Sequence, residues 1–464
     1  MLPKIHARVI DSHAHLYDKK FGPELKSVLQ RAKLAGVIKI INVAESLETS
    51  GVCLDMARDD GSLYATVGVH PQNIREWDDD SLRRLKRLAR SRRAVAIGEI
   101  GLDYHYGESG RELQHQVLRA QIAVAHEVNK PLVLHCRDAY EDLRRLLREE
   151  EAGSVGGVVH CFSGSLADAE DLIDMGFKLG FGGIITYPNA RFIREIARRV
   201  KIENILVETD SPYLAPQQKR GRRNEPANIR YVVKQLADLF EMTFRDIARQ
   251  TLYNTIRLFQ LPLRLRPSIA YPIRKTLYLN ISTECTNNCF FCARRDDAVV
   301  RGYNLDIDHP PTIEEIMDSI SDLFLYEEVV FRGLGEATLR LDVVKEIARQ
   351  LRPEGIKIRL NTNGHCFIIH NRNIVPELQD LIDSICVVLN ATSAEEYMRL
   401  CRPKFPPETD VWKAIMDFIE QARQHIPEVY IGATEAEGVD IEACRNFAVN
   451  TLHLPFRVIG AEES

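Results

Sequence analysis

No run of ~18 apolar residues occurs in the 464-residue sequence, so no stretch has the makings of a membrane-spanning helix. The opening residues, Met1-Leu-Pro-Lys-Ile-His-Ala-Arg8, lack the apolar centre of a secretion signal. Basic residues number 61 against 66 acidic ones, and a net charge of −5 excludes a bulk positive field for wrapping nucleic acid. Any nucleic-acid partner must be held by a local patch. Ten cysteines in a chain this long do not make a disulfide framework, and there is no internal repeat or low-complexity tract. These absences point to a cytoplasmic protein with no membrane association. What is present suits that reading: 45% hydrophobic and 27% charged residues, the balance of a globular chain. The length exceeds what one core serves, so two domains, or three, are expected.

Up to Pro262, strand-like apolar runs alternate with longer amphipathic segments. The runs lie at 7–10, 37–43, 63–69, 95–100, 132–135, 157–161, 177–181 and 204–207. Separated by helical stretches such as 80–91 and 112–127, they describe an α/β domain built as a (β/α)8 TIM barrel. Most runs end in chemistry. The first ends in Asp11-Ser-His13-Ala-His15, the fourth in Gly98-Glu99-Ile-Gly101-Leu-Asp103-Tyr104 and the fifth in His135-Cys-Arg137-Asp138. The sixth ends in His160-Cys-Phe162-Ser163 and the eighth in Glu208-Thr-Asp210-Ser-Pro212-Tyr213. Residues i and i+2 of a strand share a face, so His13 and His15 can reach one metal. In such barrels the C-terminal strand ends carry the active site. Four histidines and two carboxylates therefore converge on one mouth, where a lone histidine would read more simply as core.

These motifs, with Val69-His70-Pro71 and Arg220-Gly-Arg-Arg-Asn224-Glu-Pro226, resemble the TatD family of metal-dependent deoxyribonucleases, within the amidohydrolase-like barrels. The resemblance implies two divalent ions (Zn, Mn or Mg). His13 and His15 would hold one and His135 and His160 the other, with Glu99 bridging and Asp210 completing the first site. Such a pair clamps a phosphodiester, and Asp210 is the expected general base. His70 and Arg137 are candidate contacts to a scissile phosphate, unless His70 only caps its loop. The basic stretch 219–223 is either a nucleic-acid contact or a solvated loop. The run 83–93, with Leu82, Leu85 and Ala89 as its apolar stripe, reads as the wet face of a helix. Cys136 and Cys161 are expected to point away from the ligands, into the core.

Residues 263–274, rich in proline, read as a linker, dividing the chain into 1–262 and 275–464. Behind the run Leu277-Tyr-Leu-Asn-Ile281 come Cys285, Cys289 and Cys292, spaced C-x3-C-x2-C. Three thiolates cannot close a tetrahedral zinc site but suit a [4Fe–4S] cluster with one iron open. A zinc knuckle borrowing Cys366, Cys386 or Cys401 is the competing reading. Spacing and the aromatic Phe291 resemble the signature of radical S-adenosylmethionine (SAM) enzymes. Strand-like runs at 276–281, 328–332, 356–360, 384–389, 428–431 and 455–459 fit the partial (β/α)6 barrel of that superfamily. Gly333-Leu-Gly335-Glu336 stands where its glycine-glycine-glutamate motif lies. The glycines would admit the methionine end of SAM, Glu336 its ammonium, and Phe291 and Asn390 its adenine and ribose. Ala337 departs from a frequent proline and removes no ligand. Auxiliary clusters are not expected, since the later cysteines lack motif spacing.

The whole chain thus resembles a TatD-type hydrolase fused to a TatD-associated radical SAM protein. Three functions compete. The first is a bifunctional enzyme, with a metal phosphodiesterase acting on nucleic acid or nucleotides and a radical SAM centre fed by an external reductant. In the second the barrel cleaves an amide or aminoacyl ester instead. In the third, one domain serves as a binding module; the complete ligand sets oppose it.

Overall fold

Eight apolar runs become eight parallel strands. They are β1 (Val9–Ala14), β2 (Val37–Asn42), β3 (Leu63–Val67), β4 (Ala94–Asp103), β5 (Leu132–Arg137), β6 (Gly157–Val159), β7 (Phe177–Phe181) and β8 (Ile205–Val207). The computed structural model describes residues 7–105, 110–292, 295 and 297–459. Most of the N-terminal stretch read above as lacking a signal lies outside these residues. The chain divides into two compact units, Met1–Leu263 and Arg264–Ser464. Among the described residues, no helix is long and apolar enough to cross a membrane.

In the first unit the strands pair in sequence order, each with the next. A bridge between Ala14 and Ser211 joins the two ends, helped by Asp210 N–H donating to His13 O at 2.9 Å. Helices cover the outside and side chains fill the inside, so β3 and β4 are buried along their whole length and read as continuous apolar runs. Helix starts are written in the sequence. Ser46, Ser165 and Thr243 each cap a helix, and the side chain three residues on accepts the backbone N–H of the capping residue in return. The helix Ser81–Ala89 departs from the expected stripe: it buries Ser81, Leu85 and Ala89, spaced by four, and leaves Leu82 37% exposed. With its own core and closed sheet, a fragment of residues 1–263 should be expressed soluble and melt cooperatively. A fragment that is insoluble while the full chain is soluble would contradict this.

The second unit carries a seven-stranded sheet of β9 (Ala270–Ile273), β10 (Thr276–Leu279), β13 (Glu328–Phe331), β14 (Lys357–Thr362), β15 (Ser384–Val388), β16 (Glu428–Thr434) and β17 (Phe456–Ile459). Their order across the sheet is β17-β16-β15-β14-β13-β10-β9. A ribbon of β11 (Val299–Val300) and β12 (Tyr303–Asn304) stands apart from the sheet. Strands β10 and β13 to β17 are parallel, the six of a partial barrel, and β9 pairs antiparallel with β10. The linker reading is corrected here. Residues 270–273 form β9, with Tyr271 and Ile273 buried, and Asn304 Nδ2 donates to Leu265 O at 3.0 Å. Proline misled because β9 is an edge strand, where the missing N–H of Pro272 costs little.

Candidate functional site

The pleat of β1 turns His13 and, one residue beyond its end, His15 to the same side, with their Nε2 atoms 3.2 Å apart. Glu99 lies inside β4, His135 in β5, His160 directly after β6 and Asp210 shortly after β8. Gly101 (φ +140) lets β4 press on β5, since a Cβ there would meet His135 O at 2.0 Å. All six expected ligands converge. Glu99 straddles the group. Its Oε2 faces His13 Nε2 at 3.4 Å and His15 Nε2 at 3.8 Å. Its Oε1 faces His160 Nε2 at 2.7 Å and His135 Nδ1 at 3.1 Å. Asp210 Oδ1 stands 3.2 Å from His15 Nε2 and 3.7 Å from His13 Nε2.

His15 Nδ1 lies 2.9 Å from Val43 O and donates there, so its Nε2 turns a lone pair towards His13 and Asp210. Lone pairs facing each other at such distances call for a shared cation. The carboxylates here favour positive charge among the imidazoles, whether it comes as a proton or as a shared cation. Burial opposes charge on His15, yet Asp210 and Glu99 push it up to about 10; Asp103 and Glu99 likewise push His135 up to about 9 against burial. Burial also opposes the charge of Glu99, but His160, His13 and His70 hold its carboxyl well below the usual range. Ligand atoms fall within 4.8 Å of one another in the sets His13–His15–Glu99, His13–His160–Asp210 and His70–Glu99–His135. Imidazole and carboxylate donors so arranged fit divalent metals.

The other expected residues are placed differently. His70 is buried within the ligand group, with Nδ1 accepting from Gln72 N–H at 3.1 Å and Nε2 3.6 Å from Glu99 Oε1. It caps its loop and faces the centre at once. Arg137 is exposed at the end of β5. In the stretch 219–223, Arg223 is committed to Glu24 Oε2 and Lys20 O, both at 2.6 Å, and Arg220 lies over the Tyr187 ring.

Two carboxylates behind the ligands carry no signal beyond their place at strand ends. Asp103 Oδ2 takes His135 Nε2 at 3.2 Å, and Glu208 Oε1 stands 3.8 Å from His160 Nδ1. Cys161 is a correction: its Sγ groups with His160 and Glu208 rather than pointing away. Strand β6 ends at Val159 and Cys161 has φ +43, so strand alternation no longer applies. Outer carboxylates orient metal-binding imidazoles, and their loss typically costs 10–100-fold in metal affinity. Glu208→Gln keeps the acceptor for Cys161 N–H (2.6 Å in the parent) and removes the charge. Metal titration should show affinity roughly tenfold weaker, the low end of that range because the separation is long. Unchanged affinity would remove Glu208 from the site.

In the second unit Cys285, Cys289 and Cys292 lie half-buried on the loop after β10. Asn287 N–H points at Cys285 Sγ at 3.4 Å, and Asn363 Nδ2 approaches it at 3.9 Å. Among the described residues, every set of three or more ligand atoms within 4.8 Å lies in the first unit. A set of three thiols fits an iron–sulfur cube with one open iron, whereas a tetrahedral zinc site needs a fourth ligand. Cys366, Cys386 and Cys401 are all fully buried, and Cys401 lies beside Cys289, whose sulfur together with burial pushes the Cys401 thiol far up.

The glycine motif acts first on the protein itself. A Cβ at Gly333 would meet Asn280 Oδ1 at 2.0 Å, and one at Gly335 would meet Glu284 O at 2.4 Å. Both glycines therefore let the β13 loop press on the β10 loop. Glu336 is buried: its Oε1 accepts from Thr338 N–H, Thr338 Oγ1 and Thr362 Oγ1 at 2.7–3.0 Å, and its Oε2 accepts from Asn363 N–H at 2.8 Å. Three donors share Oε1 and one meets Oε2, so a lone pair on Oε2 remains. Asn390 (φ +57) accepts Thr434 N–H at 2.6 Å through its side-chain oxygen, which ties the end of β15 to β16. Phe291 packs edge-on against Phe290, beside the unit's core.

A family model described as TatD-related DNase matches residues 10–260, and one for the radical SAM superfamily matches residues 279–443. Metal-dependent hydrolase YabD of Bacillus subtilis is 41% identical over 253 residues, 54% of this chain and 99% of that protein. Metal-dependent hydrolase YcfH of Escherichia coli is 37% identical over 256 residues, 54% of this chain and 96% of that one. The crystal structure of the TatD homologue YjjV from E. coli K12 has a TM-score of 0.53 at 35% identity, covering 56% of this chain and 100% of its own. With a match that spans more than half of it, the chain belongs to the TatD-related DNase family, and a radical SAM domain follows the hydrolase domain.

Proposed function

We propose that the chain is a bifunctional enzyme. Its barrel is a two-metal hydrolase of phosphodiester bonds with deoxyribonuclease activity, and its second unit cleaves SAM reductively. The observation that carries the first part is Glu99, whose two oxygens serve two separate sets of imidazoles. Divalent ions held there would supply Lewis-acid polarisation and acidify a water molecule. Asp210 would accept the proton of the attacking water at its carboxylate. His70 is kept neutral, since burial lowers it to about 3. Its Nδ1 accepts from Gln72, so the ring proton sits on Nε2 and can be donated to a substrate oxygen. Arg137 offers its charge at the rim.

A second reading, hydrolysis of an amide or aminoacyl ester, is supported by the acids around the mouth. Asp18 accepts Tyr213 OH at 2.6 Å, Glu45 accepts Tyr17 OH, and Asp138 lies beside His105. Their charges oppose a polyanion. Assay of the manganese-, zinc- and magnesium-loaded protein on single-stranded DNA, beside phosphodiesters, carboxylic esters and amides, separates the two. Turnover of DNA and phosphodiesters alone is expected; turnover of esters or amides alone would move the barrel to the second reading.

For the second unit, Cys285, Cys289 and Cys292 would hold a [4Fe–4S] cluster, which would supply the electron that splits SAM into methionine and a 5′-deoxyadenosyl radical. Glu336 fixes the turn at Asn363 and turns its remaining lone pair to the SAM ammonium. An external reductant must feed this centre.

A further inference from the structure

The cysteine loop is not held by regular structure, for residues 281–292 contain no helix or strand. A buried polar network holds it instead. Thr286 Oγ1 receives Asn363 Nδ2 at 2.8 Å and lies 2.8 Å from His365 Nδ1. On the other side of the ring, His365 Nε2 lies 2.9 Å from Tyr397 OH, and the same hydroxyl takes Asn287 Nδ2 at 3.0 Å. His365 and Tyr397 are wholly buried, and Asn287 nearly so. Backbone bonds from Asn288 N–H to Cys401 O (3.0 Å) and from Lys404 N–H to Thr286 O (2.8 Å) close the frame.

Burial lowers His365 to about 3, so its ring stays neutral, with one donor and one acceptor nitrogen. Threonine and tyrosine hydroxyls can each play the complementary part. The ring therefore ties Thr286 to Tyr397 rigidly, whichever nitrogen holds the proton. Such a network in a core usually does no more than stitch elements together. Here, however, the two amides it clamps are the ones that face Cys285. Asn287, fixed through its side chain on Tyr397, aims its backbone N–H at Cys285 Sγ from 3.4 Å. Asn363, fixed on Thr286 and by Glu336, brings its Nδ2 to 3.9 Å from the same sulfur. Hydrogen bonds to ligating sulfurs set the reduction potential of an iron–sulfur cluster, because they stabilise the more negative, reduced state.

We propose that Thr286, His365 and Tyr397 are positioning residues that hold two amide donors on the Cys285 sulfur and thereby raise the reduction potential of the cluster. This rests on the radical SAM reading of the second unit. Loss of a network hydroxyl frees the donor behind it, so the potential falls while all three thiolates remain.

The test uses the full chain, reconstituted anaerobically and titrated electrochemically with the reduced cluster read by electron paramagnetic resonance. Wild type is compared with Tyr397→Phe, Thr286→Val and Thr286→Ser. Tyr397→Phe and Thr286→Val should keep wild-type iron, with a reduced-to-oxidised ratio at fixed potential about tenfold lower, a shift of ~59 mV for one electron. Thr286→Ser, which retains the hydroxyl, should match wild type. Should Tyr397→Phe not fold, the Thr286 pair decides alone. Wild-type potentials in the folded variants would overturn the proposal. A wild type that assembles no cluster would instead defeat the radical SAM reading beneath it.

Discussion

Glu99→Ala should purify without divalent metal and without hydrolytic activity, while its iron–sulfur absorbance stays at the wild-type level. Oxygens Oε1 and Oε2 of Glu99 serve different imidazole sets, so no other side chain can replace both contacts. The truncation also removes the one carboxylate that His13, His70, His135 and His160 face in common. Loss of an outer carboxylate already costs 10–100-fold in metal affinity. Removal of the shared inner one should exceed 100-fold for both ions, and hydrolysis should fall to background. Metal analysis and a phosphodiesterase assay on one preparation check this. A variant that keeps two divalent ions and full activity would sink the bridging assignment.

Cys289→Ala and Glu336→Gln should fail in different ways. Removing one of three thiolates costs the cluster itself, so Cys289→Ala should bind no iron and form no 5′-deoxyadenosine. Glu336→Gln should keep its iron. Its amide, however, loses the charge owed to the SAM ammonium and sets an NH2 group against either Asn363 N–H or the Thr338 and Thr362 donors. A charge-assisted contact is worth roughly 1.5–3 kcal/mol, so SAM affinity should drop by about one to two decades. The measurement is 5′-deoxyadenosine after anaerobic reconstitution with dithionite and SAM. Wild type with a full cluster and no product, with or without candidate substrates, would contradict the radical assignment. Zinc held equally by wild type and Cys289→Ala would bring back the knuckle.

The barrel was legible in the sequence because its parallel strands are buried on both faces, so apolar runs such as that of β4 mark them without alternation. His13 and His15 were legible because they stand two residues apart at a strand end and so share a face. Cys161 was not, because β6 stops short of it and a left-handed residue turns its sulfur inwards. Glu208 and Asp103 face imidazole nitrogens across the barrel, a relation between strands that no local spacing records. In the second unit the cysteine spacing showed where a cluster would sit, but not what carries its loop. His365 and Tyr397 lie far along the chain from Thr286 and Asn287, in segments without any motif. β9 was hidden by prolines that an edge strand tolerates.

Anaerobic purification followed by metal and iron counts on the same sample tests the assignment of two separate centres most directly. Two divalent ions and four irons per chain are expected, with Glu99→Ala losing only the former and Cys289→Ala only the latter. Zinc in place of iron at the cysteines, or divalent ions that survive the loss of Glu99, would contradict it.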